Sequence, residues 1–151
     1  MKSRHLARAI AVQTLYSLDF NGRIHDCPLP YSEGFAGFTK EEQDKLESDV
    51  VLYATYLIDG VLTHLSETDE MINRFSTKRS IENINLVDRN ILRLSIYSLL
   101  YCKDIHPNII IDEAVKLSQE YSTEVNYRFI NGLLDTAVRY LHDSSENGRT
   151  D

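Results

Sequence analysis

Positive charge is what this chain has least of: 16 Lys and Arg stand against 23 Asp and Glu in 151 residues, a formal net charge of -7. That balance argues against a protein that coats nucleic acid by bulk electrostatics, although a local basic patch is compatible with it. Cysteine is scarce as well. Cys27 and Cys102 stand alone, without CxxC spacing or a secretory leader, which excludes a disulfide framework and points to a reducing cytosol. No apolar run approaches the roughly 20 residues that cross a bilayer, so a membrane-spanning role is excluded. The phosphate-cradling loops GxxxxGK[ST] and GxGxxG are missing, and with them the usual nucleotide sites. The five histidines (His5, His25, His64, His106 and His142) are scattered; none has a glutamate three residues before it, and HExxH is absent. Neither a metal site nor a cofactor is implied. Acidic pairs such as Glu41-Glu42 and Asp112-Glu113 fit solvated helix starts, where carboxylates are favoured, better than acid/base partners. No catalytic constellation is present, and the expectation is a protein that is not an enzyme.

Convincing strand alternation is also lacking, and what is there instead is helical period. Residues 3 to 20 read as a first helix, apolar nearly all round, with Ala7, Ile10, Ala11, Leu15 and Leu18 on one side and Leu6, Ala9, Val12, Tyr16 and Phe20 on the other. Such a helix is enclosed by its own protein or covered by a partner. Residues 21 to 38 hold three of the six glycines and two of the three prolines, and are expected to form a long mobile loop. Thr39 and Glu42 form a capping box opening a helix from about Lys40 to His64, and Ser66 with Asp69 starts a shorter one ending near Phe75. The polar run Ser76 to Arg79 breaks the pattern and is the best candidate for a boundary between two halves. Asn85 reads as the cap of a central helix, LVDRNILRLSIYSLLYC, which His106-Pro107 terminates. Helices over 110 to 121 and 124 to 141 follow. The expected fold is all-α, about six to seven helices in two packed bundles: one domain over 1-141, with sub-bundles of about 1-78 and 79-141, and a disordered tail over 142-151.

The scarce positive charge is not spread evenly. Residues 1 to 25 carry Lys2, Arg4, Arg8 and Arg23 against Asp19 alone, a net +3 that leaves -10 on the rest of the chain. In the last helix, Arg128, Asn131, Asp135 and Arg139 share a polar face beside Tyr121, Tyr127 and Phe129. Rings next to cations commonly hold unpaired bases. Ser122 and Thr123, at the turn before that helix, suggest free backbone donors for a phosphate. The run RFINGLLD also holds Asn131-Gly132, a strong hairpin signal in a strand context, but the apolar period around it is helical. Close packing is the expected reason for the glycine, with a closely approaching ligand as the alternative.

SRHLARAIAVQTLYSLDF, VDRNILRLSIYSLL, IIIDEAVKLSQEYS and RFINGLLD, in this order and at this spacing, resemble the bacterial transcription antitermination factor NusB family. The resemblance covers roughly residues 3 to 141, apart from the loop 21 to 38 and much of 40 to 80. It implies a small all-helical RNA-binding protein that, with NusE (ribosomal protein S ten), binds the boxA element of ribosomal RNA leader transcripts and promotes read-through by RNA polymerase alongside other Nus factors. It implies RNA contacts by the N-terminal motif Arg4, His5 and Arg8, which is thinner here than the family's arginine run, and by Tyr121, Phe129 and Asn131. Lys2 is added as a cation of the same basic N-terminal stretch. Ser122 and Arg128 join them from the reading of the residues above. Asp88 and Arg93 match positions associated with the NusE contact. Val125 stands where some relatives carry an aspartate. The thin motif and the net acidity together imply weak RNA binding by this chain alone. Two other readings have different signatures: a protein-interaction adaptor whose RNA surface has decayed, and the helical domain that opens some ribosomal RNA methyltransferases, which would continue into an α/β domain rather than a polar tail.

Overall fold

A computed structural model describes residues 2–123 and 125–149, with side chains described over 3–123 and 125–144. All regular structure among these residues is helical, as the missing alternation implies: seven α-helices and one 3-10 turn, Ile81–Asn83. The helices are α1 (Lys2–Phe20), α2 (Lys40–Asp44), α3 (Ser48–Thr63), α4 (Leu65–Phe75), α5 (Leu86–Tyr101), α6 (Pro107–Tyr121) and α7 (Asn126–Arg149).

The apolar residues of α5 recur on every side, so this helix can be stable only if surrounded. It is: each residue from Asn90 to Leu99 is buried, and α1, α3, α4, α6 and α7 all pack on it. Its first turn is capped as expected, the Asn85 side chain accepting from the Asp88 N–H at 2.9 Å. Ser95 and Ser98 lie inside the core without cost in unmet polarity, because their hydroxyls donate to the carbonyls of Ile91 and Leu94 one turn back. Where α3 approaches α5, Gly60 lies directly against the Tyr97 ring; a Cβ there would collide with it.

The connector at 76–80 does not separate two cores. α4, which precedes it, touches α3 but also packs on α5 and α7, and one continuous apolar cluster joins Ala7 of α1 to Ala137 of α7.

Several boundaries differ from the sequence reading. The helix expected from Lys40 to His64 is two helices. The capping box forms, Thr39 Oγ1 accepting from the Glu42 N–H at 3.1 Å and the Glu42 carboxylate from the Thr39 N–H at 3.0 Å. Yet α2 buries none of its side chains, so no packing holds it in line with α3. Pro107 opens α6 rather than only ending the element before it. A proline at the first helical position loses no hydrogen bond, and His106 Nδ1 accepts from the Asn108 N–H at 3.1 Å. At the other end of the chain α7 continues past Leu141 to Arg149, through residues expected to be disordered; His142, Asp143 and Ser144 are exposed. Residues 150 and 151 of that tail lie outside the described residues.

The loop 21–38, expected to be mobile, is pinned to the bundle. Ile24, Tyr31 and Phe35 are buried, and the backbone N–H groups of Tyr31, Phe35 and Ala36 donate to Asp59, Gln43 and Thr14. The Tyr31 hydroxyl donates to the Gly34 carbonyl at 2.5 Å, and burial pushes its pKa up to about 12. Proline and glycine content reported turns here and not looseness, because three apolar anchors spaced through the segment bring it onto α1 and α3. Cys27 and Cys102 are both free thiols.

Candidate nucleic-acid interface

The first two turns of α1 place Arg4, His5 and Arg8 on one side, as their spacing requires. All three side chains are already engaged within the fold. The Arg4 guanidinium lies 4.0 Å from the centroid of the Tyr53 ring, a cation–π pair with α3. Arg8 is only 8% exposed, sits over the same ring at 5.7 Å, and lies 3.7 Å from the Glu113 carboxylate on α6. His5 is held between two carboxylates, with Nδ1 2.6 Å from Glu113 and Nε2 2.9 Å from Glu120. The Lys2 side chain lies outside the described residues.

The second group forms around the turn between α6 and α7, and a buried acid organises it. Asp88, 1% exposed at the start of α5, accepts four hydrogen bonds: Oδ1 from the Ser118 hydroxyl at 3.1 Å, and Oδ2 from Asn85, the Ser122 hydroxyl and Asn126 at 2.9, 3.0 and 2.8 Å. The carboxylate thereby ties the end of α6 to the start of α7. Ser122 ends α6 instead of capping α7, and its N–H donates to the Ser118 carbonyl at 2.8 Å, so it is not the free phosphate donor expected from sequence. Arg93 is buried too, at 3% exposure: its guanidinium spans Asp69 of α4 at 2.7 Å and Asp19 of α1 at 2.8 Å. Asp88 and Arg93, implied by resemblance to touch a partner, thus use their polar atoms within the fold.

Tyr121, Arg128 and Asn131 reach solvent, Tyr121 at 53% exposure, while Phe129 is half-buried against the core. Of these residues, Tyr121 lies beside the N-terminal basic group. Tyr121 faces α1, lining a cavity of ≈ 480 Å³ with His5, Leu6 and Glu120, and a second of ≈ 270 Å³ with Val12, Tyr16 and Val87. The latter is an apolar groove, extended along α1 by the exposed Phe20.

Phe129 opens instead toward a recess of ≈ 250 Å³ lined by Thr77, Lys78, Arg128, Gly132 and Thr136 over Phe75 and Leu133. The Arg79 guanidinium lies 4.9 Å from the Phe129 ring centroid. Arg128 Nε donates to the Tyr127 hydroxyl at 3.4 Å; that bond raises the arginine pKa above its ordinary value and leaves its charge intact. Lys78 and Arg79 were missed as site residues. They belong to the polar run read as a boundary, and the signal available was its two adjacent cations. Gly132 was read as a packing glycine, but a Cβ built there meets no atom within 4 Å. No group of acidic, histidine or cysteine side chains suited to a metal ion occurs among the described residues.

A helical scaffold that gathers cations around a half-buried phenylalanine and leaves a separate apolar groove open along α1 fits a small nucleic-acid-binding adaptor. The comparisons with known proteins narrow that class. Residues 5–139 match the model of the NusB family, and the chain belongs to that family. It is 35% identical over 138 residues to the transcription antitermination protein NusB of Thermodesulfovibrio yellowstonii, covering 90% of this chain and 91% of that one. It is 37% identical over 137 residues to the protein of the same name from Elusimicrobium minutum, covering 89% and 92%. Among solved structures it is similar to T. maritima NusB, with a TM-score of 0.73 at 29% identity over 90% of both chains. It is also similar to a chain in the crystal structure of antitermination factors NusB and NusE in complex with dsRNA, with a TM-score of 0.74 at 26% identity over 93% and 98%.

Proposed function

We propose that this chain is an RNA-binding transcription antitermination factor: with NusE it binds boxA-type RNA of ribosomal RNA leader transcripts and promotes read-through by RNA polymerase, alongside other Nus factors, in the cytoplasm. The observation that carries the reading is the setting of Phe129. Its ring borders an open recess, with Arg79 against it and Lys78 and Arg128 beside it, which is the pairing of a stacking platform with phosphate-binding cations that single-stranded RNA requires. The family's naming as an antitermination protein supports it, and so does the complex of a similar chain with NusE and RNA. Chemistry is not part of this function; the site holds and positions RNA without transforming it.

NusE fits the apolar groove between Val12, Tyr16, Val87 and Tyr121, where α1 leaves rings uncovered. Asp88 ties the start of α5 to the end of α6 and the start of α7, and Arg93 ties α5 to α1 and α4; they act by holding these helices in register rather than by touching the partner. RNA affinity without NusE is weak, because the N-terminal cations already face Glu113, Glu120 and Tyr53, and few remain for phosphates.

A titration of boxA-type RNA and a scrambled control, each with and without NusE, tests the reading. The expected outcome is preferential binding of boxA that strengthens when NusE is added. Equal weak binding of both RNAs under every condition would support a pure protein adaptor instead, a reading that the engaged state of Arg8 and His5 favours.

A further inference from the structure

The connector between α4 and α5 begins STKRS, residues 76 to 80, and this run contains no apolar side chain to bury. Packing of its own side chains therefore cannot fix it, and polar bonds must. Lys78 and Arg79 are exposed, so their charges stand only where the backbone beneath them is held.

The hold falls on Ile81, at the end of the run. This residue is 8% exposed; its N–H donates to Asn73 Oδ1 at 2.8 Å, and its carbonyl accepts from Arg89 Nη1 at 3.2 Å. Asn73 stands in the last turn of α4 and Arg89 in the first turn of α5, so Ile81 is clamped from both flanking helices. Upstream, the Ser76 hydroxyl donates to the Arg79 carbonyl at 2.5 Å and closes the run into a turn.

Arg89 has an anchor of its own. Its Nε and Nη2 donate to Asp19 in the last turn of α1 at 2.9 and 2.8 Å, which fixes the guanidinium plane and leaves Nη1 for the Ile81 carbonyl. A planar fork can serve a carboxylate and a carbonyl at once, whereas an ammonium is a single point and cannot keep both in that geometry. Asp19 also accepts from Asn90 at 3.0 Å and from Arg93 at 2.8 Å, so the α1–α5 junction keeps two bonds when Arg89 is replaced. Neither Arg89 nor Asn73 lines the recess beside Phe129.

We propose that Arg89 and Asn73 are positioning residues for RNA: together they clamp Ile81 and thereby set where Lys78 and Arg79 stand against Phe129, without touching RNA themselves. The proposal rests on the RNA-binding reading above and concerns what fixes the geometry of that site. It also gives α1 a part in it, because Asp19 orients the arginine that holds the connector.

The test measures affinity for single-stranded boxA-type RNA with NusE at a fixed saturating concentration, over a range of salt, at a temperature where circular dichroism shows every variant folded. Arg89→Lys and Asn73→Ala are made singly in the full chain and again in a chain that carries Lys78→Ala/Arg79→Ala. Each single change is expected to weaken RNA binding about fivefold and to lower the salt slope by about 0.7, as a displaced cation loses its phosphate. In the Lys78→Ala/Arg79→Ala background the same changes are expected to add less than about twofold, because the groups they position are gone. Variants that melt at a lower temperature but bind RNA like the unaltered chain would show a clamp that is structural only, and overturn the proposal. Losses that persist in full in the Lys78→Ala/Arg79→Ala background would overturn it as well, since Arg89 or Asn73 would then act on RNA by another route. If the unaltered chain does not prefer boxA-type RNA to a scrambled control, the RNA-binding reading falls and takes the proposal with it; if it does and the single variants match it, the proposal alone falls.

Discussion

Two basic regions of this molecule look alike in sequence and differ in what they can bind. At the start of α1, Arg4, His5 and Arg8 match a family RNA motif, yet each is engaged by Tyr53, Glu113 or Glu120. Around Phe129, Lys78, Arg79 and Arg128 look like a boundary run and a helix surface; Arg79 and Arg128 lie against the Phe129 and Tyr127 rings, as Arg4 does against Tyr53, but unlike His5 and Arg8 none of the three pairs with a described carboxylate. The difference shows that a cation's use to a ligand depends on its neighbours more than on its presence. Electrostatic attraction to RNA scales with the counterions released, and a guanidinium already beside a carboxylate has fewer to release.

The comparison assumes that the fold beneath both regions is held by Arg93, and the largest expected effect is there. Arg93→Ala would leave Asp69 without its buried counter-charge and Asp19 with Arg89 alone, an expected destabilisation of about 3 kcal/mol. Urea denaturation checks it; a loss of NusE binding without loss of stability would instead restore Arg93 as a partner contact. Next, Phe129→Ala is expected to weaken RNA binding by about 1–3 kcal/mol in a titration where folding is followed in parallel. If unfolding accounts for the whole loss, Phe129 is core and the contrast between the regions disappears. Glu120→Gln acts on the other side of the comparison, removing an exposed acid that faces His5. RNA affinity is expected to rise by roughly 0.5 kcal/mol, a little over twofold, given the modest strength of exposed pairs. The smallest effect is expected for Arg4→Ala: a weakening spread evenly over RNA sequences and a salt slope lower by roughly 0.7. An unchanged slope would mean that the Tyr53 pairing removes Arg4 from RNA binding altogether.

Much of the fold could be read from residues alone. The helical period of α1, α5 and α7, the Thr39 and Asn85 caps, and the near-complete burial of LVDRNILRLSIYSLL follow from interactions three or four residues apart. Of the candidate site, Tyr121, Arg128, Phe129 and Asn131 could be proposed from the sequence, because rings and cations of RFINGLLD stand together in the chain, and the structure places all four at least partly open to solvent. Loop 21–38 was misread because its glycines and prolines mark turns, while its attachment depends on Asp59, Gln43 and Thr14, remote in sequence.

The sequence by itself determined the all-helical class, the core stripes, the Thr39 and Asn85 caps and the family. Only the tertiary structure decided which charges are free. His5 meets Glu113 across 108 positions of chain and Arg93 meets Asp19 across 74, pairings that no local pattern specifies. It also decided the meaning of Gly132, since whether a missing Cβ makes room for a neighbouring helix or for a ligand depends on what lies opposite it. Helix formation is a short-range property of the chain, whereas the availability of a charge or a recess is a property of everything the fold brings beside it.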